Sequence, residues 1–125
     1  MERSNFQNWP HHGPDEIAAA VRVLESGRVN YWTGEEGSAF EKEFSAYHGA
    51  RYGIAVANGT VALDLSLIAL DIGAGDDVVV TPRTFLASVS CIANAGARPV
   101  FADVDPDSGN ITEESVRAVL TPSTR

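Results

Sequence analysis

Three short apolar runs alternate with longer helix-like segments, and this order constrains the fold more than any other feature of the chain. The runs are almost continuously apolar and occupy positions 52–57, 77–81 and 99–104. Strands that are apolar on both faces are typical of parallel sheets covered by helices on both sides. We therefore predict an α/β fold with a mainly parallel sheet and right-handed crossover connections.

Two helices are predicted before the first strand, over residues 14–26 and 35–48. Pro14 suits the first position of a helix, and Gly27 and Gly49 each follow a predicted helix end. The later helices are predicted over residues 60–72, 83–95 and 112–120. The first thirteen residues show no such periodicity and are predicted to be irregular.

The helix at 60–72 is apolar nearly all round. A helix of this kind is normally covered on several sides. The chain also stops just after a helix, where a further strand would be expected. We interpret residues 1–125 as one truncated α/β domain.

Charge and composition exclude several classes of partner. The chain carries a formal net charge of -8, which repels nucleic-acid phosphates. No apolar run approaches the ~20 residues needed to cross a bilayer, and the N-terminus lacks a signal-peptide core. Cys91 is the only cysteine, so no internal disulfide is possible. We expect a cytoplasmic protein that binds neither nucleic acid nor membrane.

The turn formed by Asn58, Gly59 and Thr60 lies between a predicted strand and a predicted helix. A glycine there lets the backbone approach a ligand, and the helix start offers free N–H groups and the positive end of the helix dipole. These features suit a phosphate. The same turn is also explained by Thr60 capping the helix, and from the residues alone this second explanation is favoured.

Aromatic residues occur at two further places that could face a ligand. Phe85 follows the second strand in the sequence TPRTF, at the sheet edge where ligands of parallel sheets bind. It could stack on a flat ring or belong to the core. Tyr31 and Trp32 lie between the first two helices and could either pack on the core or contact a substrate.

No metal site is predicted. Asp103, Asp105, Asp107 and Glu114 have the spacing of four calcium-binding positions. However, Ser108 stands where such a loop needs a glycine for its sharp turn. A turn after a strand explains these acidic residues better.

The chain resembles the DegT/DnrJ/EryC1/StrS family of aminotransferases from about Pro14 onward. The resemblance rests on residues 40–112, which begin FEKEFSAYHG and include VANGTVAL and TPRTFLAS, and on the upstream segment ESGRVNYWTGEE. No single motif carries it; several elements occur in the family's order and spacing.

The resemblance implies a fold-type I enzyme that uses pyridoxal 5'-phosphate (PLP) and works as a homodimer. Such enzymes usually transfer an amino group from glutamate to a nucleotide-linked ketosugar. The family's phosphate-binding turn corresponds to Gly59 and Thr60, and its ring-stacking aromatic residue corresponds to Phe85. These correspondences favour the ligand-binding interpretation of both turns.

The family's reactive lysine has no counterpart in these residues. Lys42 is the only lysine, and it lies on an early predicted helix. In the family, the lysine and the aspartate that pairs with the pyridine nitrogen come later than residue 125. We therefore expect no catalytic residue here and no activity from the isolated chain. Two alternatives stay open: a PLP-dependent sugar dehydratase of the same family, and a non-catalytic module that binds a partner chain.

Overall fold

A computed structural model describes residues 10–125, so most of the segment predicted to be irregular lies outside the described residues. The elements follow in the order α1 (Pro14–Ser26), α2 (Glu36–Tyr47), α3 (Gly59–Ala69), β1 (Asp77–Val80), α4 (Ala87–Asn94), β2 (Arg98–Phe101) and α5 (Glu113–Arg117). The chain divides into two compact units, Met1–Ala55 and Val56–Arg125.

The first unit contains α1 and α2. Helix α1 has the predicted bounds. It begins where the Glu16 carboxylate accepts a hydrogen bond from the Gly13 N–H at 2.6 Å. It ends at Gly27, whose left-handed φ of 67° lets its N–H reach the Leu24 carbonyl. Glycine adopts this conformation without steric cost, which explains why the helix stops there.

The second unit contains a parallel pair of strands connected by α4. Strand β1 runs beside β2 with Asp77 opposite Arg98 and Val80 opposite Phe101. Helix α3 packs against α4, and α4 packs on both strands. The buried residues that form the core are Val80, Cys91, Ile92 and Ala97. The predicted α/β class with parallel strands is confirmed.

The buried carboxylate of Asp77 fixes the start of this sheet. It is 3% exposed and accepts two hydrogen bonds from the Arg98 guanidinium, at 2.7 and 2.6 Å, and one from the Thr121 hydroxyl. The backbone of Asp77 also forms a parallel bridge with Thr124. The chain after α5 therefore extends the sheet on the side of β1 away from β2.

The strand predicted at 52–57 is not formed, and this prediction is wrong for the described chain. A strand needs a neighbouring backbone, and no described segment pairs with these residues. Ile54 is 81% exposed. The Ala55 N–H donates instead to the Glu41 carboxylate at 2.8 Å. Apolar character alone could not reveal that the partner strand is missing.

Three helix predictions also need correction. The helix predicted at 83–95 begins only at Ala87, because a turn over residues 82–85 follows β1. The last helix, α5, is shorter than the predicted 112–120. Helix α3 was expected to be covered on several sides, but its side chains Val61, Leu63, Leu65 and Ile68 are exposed among the described residues. Within residues 10–125, no helix combines the length and the apolar character needed to span a membrane.

Candidate functional site

Asn58 caps helix α3. Its extended backbone (φ -167°, ψ 173°) precedes the helix, and its side-chain oxygen accepts a hydrogen bond from the Val61 N–H at 3.0 Å. Its carbonyl accepts from the Ala62 N–H. The sequence predicted Thr60 as a possible cap of this helix, but the capping residue is Asn58. The Thr60 hydroxyl does not cap the helix.

This cap leaves hydrogen-bond donors free at the helix start. Among the described residues, the N–H groups of Gly59 and Thr60 and the Thr60 hydroxyl have no hydrogen-bond partner. A methyl group added to Gly59 would meet no atom within 4 Å beyond its neighbours and its own helix backbone. The positive end of α3 is thus open to an incoming anion.

Phe85 lies in the turn between β1 and α4, and it is 77% exposed. The turn is held by its own polar groups. The hydroxyls of Thr84 and Ser88 lie 2.8 Å apart, and the Ser88 N–H donates to the Phe85 carbonyl at 3.0 Å. Phe85 is therefore not a core residue of the described chain.

The two turns meet in one groove. Because α3 packs against α4, Gly59, Thr60 and Phe85 line the same open groove of about 570 Å³. The remaining lining residues are Ala62, Leu63, Ser66, Ala87 and Ser88. The structure thus brings together the three residues that the sequence suggested for cofactor binding. The groove combines a donor-rich end at α3 with an exposed aromatic ring.

Tyr31 and Trp32 lie in the other unit, in the loop between α1 and α2. Trp32 is 90% exposed, and the two rings meet edge to face with centroids 6.0 Å apart. The Asn30 side chain holds the loop by accepting hydrogen bonds from the N–H groups of Trp32 and Thr33. Neither aromatic ring is buried in the described chain, so neither serves as a core residue there.

Glu41 connects two segments of the first unit. One carboxylate oxygen accepts from the Tyr31 hydroxyl at 3.1 Å, and the other accepts from the Ala55 N–H at 2.8 Å. The hydrogen bond from Tyr31 to this carboxylate, together with its negative charge, raises the pKa of Tyr31. Glu41 therefore ties the loop carrying Tyr31 to the end of the first unit. No sequence spacing indicates such a bridge.

The acidic segment after β2 forms a turn, as predicted. The Asp105 carboxylate accepts from the Ser108 N–H at 2.8 Å, and Val104 bridges to Ile111 in antiparallel fashion. Hydrogen bonds from Ser108 lower the pKa of Asp105. Within residues 10–125 no three acidic, histidine or cysteine side chains cluster as metal ligands would.

Comparison with known proteins places the chain in a family. The model of the DegT/DnrJ/EryC1/StrS aminotransferase family matches residues 10–125. The spore coat polysaccharide biosynthesis protein SpsC of Bacillus subtilis is 41% identical over 127 residues, which covers 100% of this chain and 32% of SpsC.

Two solved structures have the same fold over this region. The aminotransferase from Psychrobacter cryohalolentis is 57% identical with a TM-score of 0.90, covering 96% of this chain and 30% of that one. Spr1654 of Streptococcus pneumoniae, solved in a PLP form, is 31% identical with a TM-score of 0.83, covering 93% of this chain and 29% of that one. The chain spans about a third of the length of the curated relatives it matches. This chain therefore belongs to the DegT/DnrJ/EryC1/StrS aminotransferase family.

Proposed function

We propose that this chain is the cofactor-holding N-terminal part of a PLP-dependent aminotransferase. In the whole protein, the amino group of glutamate would pass to a nucleotide-linked ketosugar in amino-sugar or surface-polysaccharide biosynthesis. The observation that carries the proposal is the groove in which Gly59, Thr60 and Phe85 lie together. The name of SpsC supports the biosynthetic setting.

Gly59 and Thr60 are proposed to bind the cofactor phosphate. Two backbone N–H groups and one hydroxyl are free there, and they lie at the positive end of a helix of eleven residues. Hydrogen bonds from such groups to an anion are stronger than those between neutral partners. The open space beside Gly59 allows a phosphate oxygen to approach the backbone. The donor set therefore fits a phosphate group.

Phe85 is proposed to lie against the pyridine ring. Its exposed side chain lines the groove beyond the helix start, and aromatic pairs in offset or edge contact contribute about 0.5–1.5 kcal/mol beyond area burial. The groove volume of about 570 Å³ falls within the usual range for small-molecule sites. The proposed role of Phe85 is to orient the ring.

The bound cofactor would act as an electron sink for amino-group transfer. The residues of this chain would bind and orient it but would not supply the reactive amine. Lys42, the only lysine, is exposed on α2. We infer that the isolated 125-residue chain does not transaminate. The family resemblance further suggests a homodimer. We also propose a cytoplasmic location, from the composition, and Tyr31 and Trp32 as candidate substrate contacts, from their exposed loop.

Replacing Thr60 with alanine in the full-length enzyme tests the phosphate assignment. Thr60→Ala removes one hydrogen bond to a charged group, worth about 1.5–3 kcal/mol. The PLP dissociation constant, measured by titrating the apoenzyme, should rise by roughly ten- to a hundredfold. Ser66→Ala is the matched control, because Ser66 lines the same groove but its hydroxyl already donates to the Ala62 carbonyl.

The two variants separate phosphate binding from general damage to the groove. Ser66→Ala should keep the wild-type affinity for PLP. An unchanged affinity in Thr60→Ala, or an equal loss in both variants, would remove the phosphate assignment.

A further inference from the structure

Arg83 occupies an unusual position beside Gly109. Gly109 has a left-handed φ of 68°, and a Cβ atom at this position would overlap the guanidinium of Arg83. The glycine thus leaves the room that the guanidinium fills. Gly109 lies in the turn after β2, whereas Arg83 lies in the turn after β1. The arginine therefore reaches across the carboxyl ends of both strands.

The guanidinium of Arg83 has no carboxylate partner among the described residues. The other arginines of the second unit each form an ion pair: Arg98 with Asp77, Arg117 with Glu113, and Arg125 with Asp76. Arg83 is exposed and pairs with none of the acids in the neighbouring turn. The nearby Asp105 carboxylate accepts hydrogen bonds from its own turn instead.

An unpaired arginine at this edge is suited to bind an anion. In an open parallel sheet, ligands lie beyond the carboxyl ends of the strands. Arg83 precedes Phe85 by two residues, and Phe85 lines the groove described above. A guanidinium offers a planar set of donors that matches phosphate or carboxylate oxygens two at a time.

We propose that Arg83 binds an oxyanion of a substrate. The proposal rests on the proposed aminotransferase function. Both substrates of that reaction carry oxyanions, as a diphosphate on the nucleotide sugar and as carboxylates on glutamate. A phosphate group and a carboxylate each present two negatively charged oxygens that one guanidinium can bind.

Glutamate and the nucleotide sugar react in separate half-reactions of the full-length holoenzyme, so kinetics can show which of the two oxyanions Arg83 binds. The KM for glutamate and the KM for a nucleotide-linked ketosugar are measured separately in Arg83→Gln, Arg83→Lys and the matched control Arg117→Gln. Arg117 carries the same charge in the same unit but is already paired with Glu113 at 2.7 Å. The affinity for PLP is measured in parallel.

In Arg83→Gln, we expect one KM to rise by about ten- to a hundredfold, the range for a lost charged hydrogen bond, with kcat and PLP affinity little changed. Arg83→Lys should recover part of the loss, because lysine keeps the charge but not the planar donors. A rise for the nucleotide sugar alone identifies the diphosphate, and a rise for glutamate alone identifies the carboxylate.

Equal KM values in wild type and Arg83→Gln, or the same change in Arg117→Gln, would overturn the proposal. Such a result would leave the aminotransferase function standing, because the wild-type half-reactions would still proceed. A wild-type enzyme that binds PLP but runs neither half-reaction would contradict the proposed function, and this inference with it.

Discussion

At the scale of single residues, the clearest energetic feature is the Asp77 carboxylate. Hydrogen bonds from Arg98, and then from Thr121, lower its pKa from 3.8 to about 2. Because the folded-state pKa lies below the ordinary value, Asp77 binds a proton less readily in the folded than in the unfolded chain. Its stabilising contribution is therefore complete above about pH 4 and is lost as the pH falls towards 2.

Asp77→Asn should destabilise the full-length protein at neutral pH. The amide lacks the negative charge that pairs with Arg98, and it can accept fewer of the hydrogen bonds that Arg98 and Thr121 donate to this buried position. The measurement is denaturant unfolding of wild type and variant between pH 7 and pH 2. The difference in unfolding free energy should shrink between about pH 4 and pH 2. Asp107→Asn, an exposed carboxylate, is the control. A difference that does not change across this range would contradict the assigned pKa.

Some residues of the candidate site could be identified from the sequence, and others could not. Phe85 and Thr60 were identified because each follows a predicted strand and because the family resemblance places the cofactor-binding residues at these two positions. The cap on Asn58 was not foreseen, because both Asn58 and Thr60 have a side-chain oxygen suited to capping. Glu41 and Arg83 were missed because their partners, Ala55 and Gly109, are distant in sequence and carry no periodic signal.

At the scale of elements, helix α3 depends on its cap. The Asn58 side chain satisfies the Val61 N–H, and the two N–H groups before it remain free. The Val61 N–H therefore contributes to the stability of the helix, while the neighbouring N–H groups of Gly59 and Thr60 are left to bind an anion. This arrangement allows the two properties to be separated by substitution at Asn58.

Asn58→Ala should lower the unfolding free energy of the full-length protein by about 1 kcal/mol, the usual cost of losing a cap. Asn58→Asp should keep that stability, because aspartate caps helices equally well. The added negative charge should nevertheless weaken PLP binding, since it lies next to the proposed phosphate site. Chemical unfolding and PLP titration of both variants test this. If Asn58→Asp bound PLP as tightly as wild type, the phosphate would have to lie elsewhere.

The elements that the sequence predicted best are those stabilised locally. Helix α1 has its own start and stop residues and was predicted with its observed bounds. The segment 52–57 depends on a partner strand, and its apolar residues cannot indicate whether that partner is present. Helix α4 starts later than predicted because polar groups of the turn after β1 form hydrogen bonds with one another. The spacing of apolar residues does not reveal these hydrogen bonds.

At the scale of the whole molecule, many large apolar side chains are exposed. Among residues 10–125 the buried core cluster has four members, while large apolar side chains of α3, as well as Tyr52 and Ile54, are exposed. A monomeric soluble protein rarely exposes apolar surface so extensively. The α/β class could be predicted from strand and helix order, and so could exposed apolar faces on the helix at 60–72, but which side chains are exposed could be named only from the structure.

The isolated 125-residue chain is therefore expected to self-associate. Light scattering coupled to size-exclusion chromatography should detect oligomers or aggregates at micromolar concentration, and a hydrophobic dye should bind strongly. Double substitution of Leu65 and Ile68 to glutamine on α3 should reduce both signals, since it removes exposed apolar area. A monodisperse wild-type monomer without dye binding would contradict the expectation.

The groove between α3 and the turn after β1 is proposed to hold the phosphate and ring of PLP. A crystal structure of the full-length protein with bound PLP would show whether it does. We expect phosphate oxygens within hydrogen-bond distance of the Gly59 and Thr60 N–H groups and the Thr60 hydroxyl, with the pyridine ring against Phe85. A phosphate bound at any other helix start, or a ring with no contact to Phe85, would contradict it.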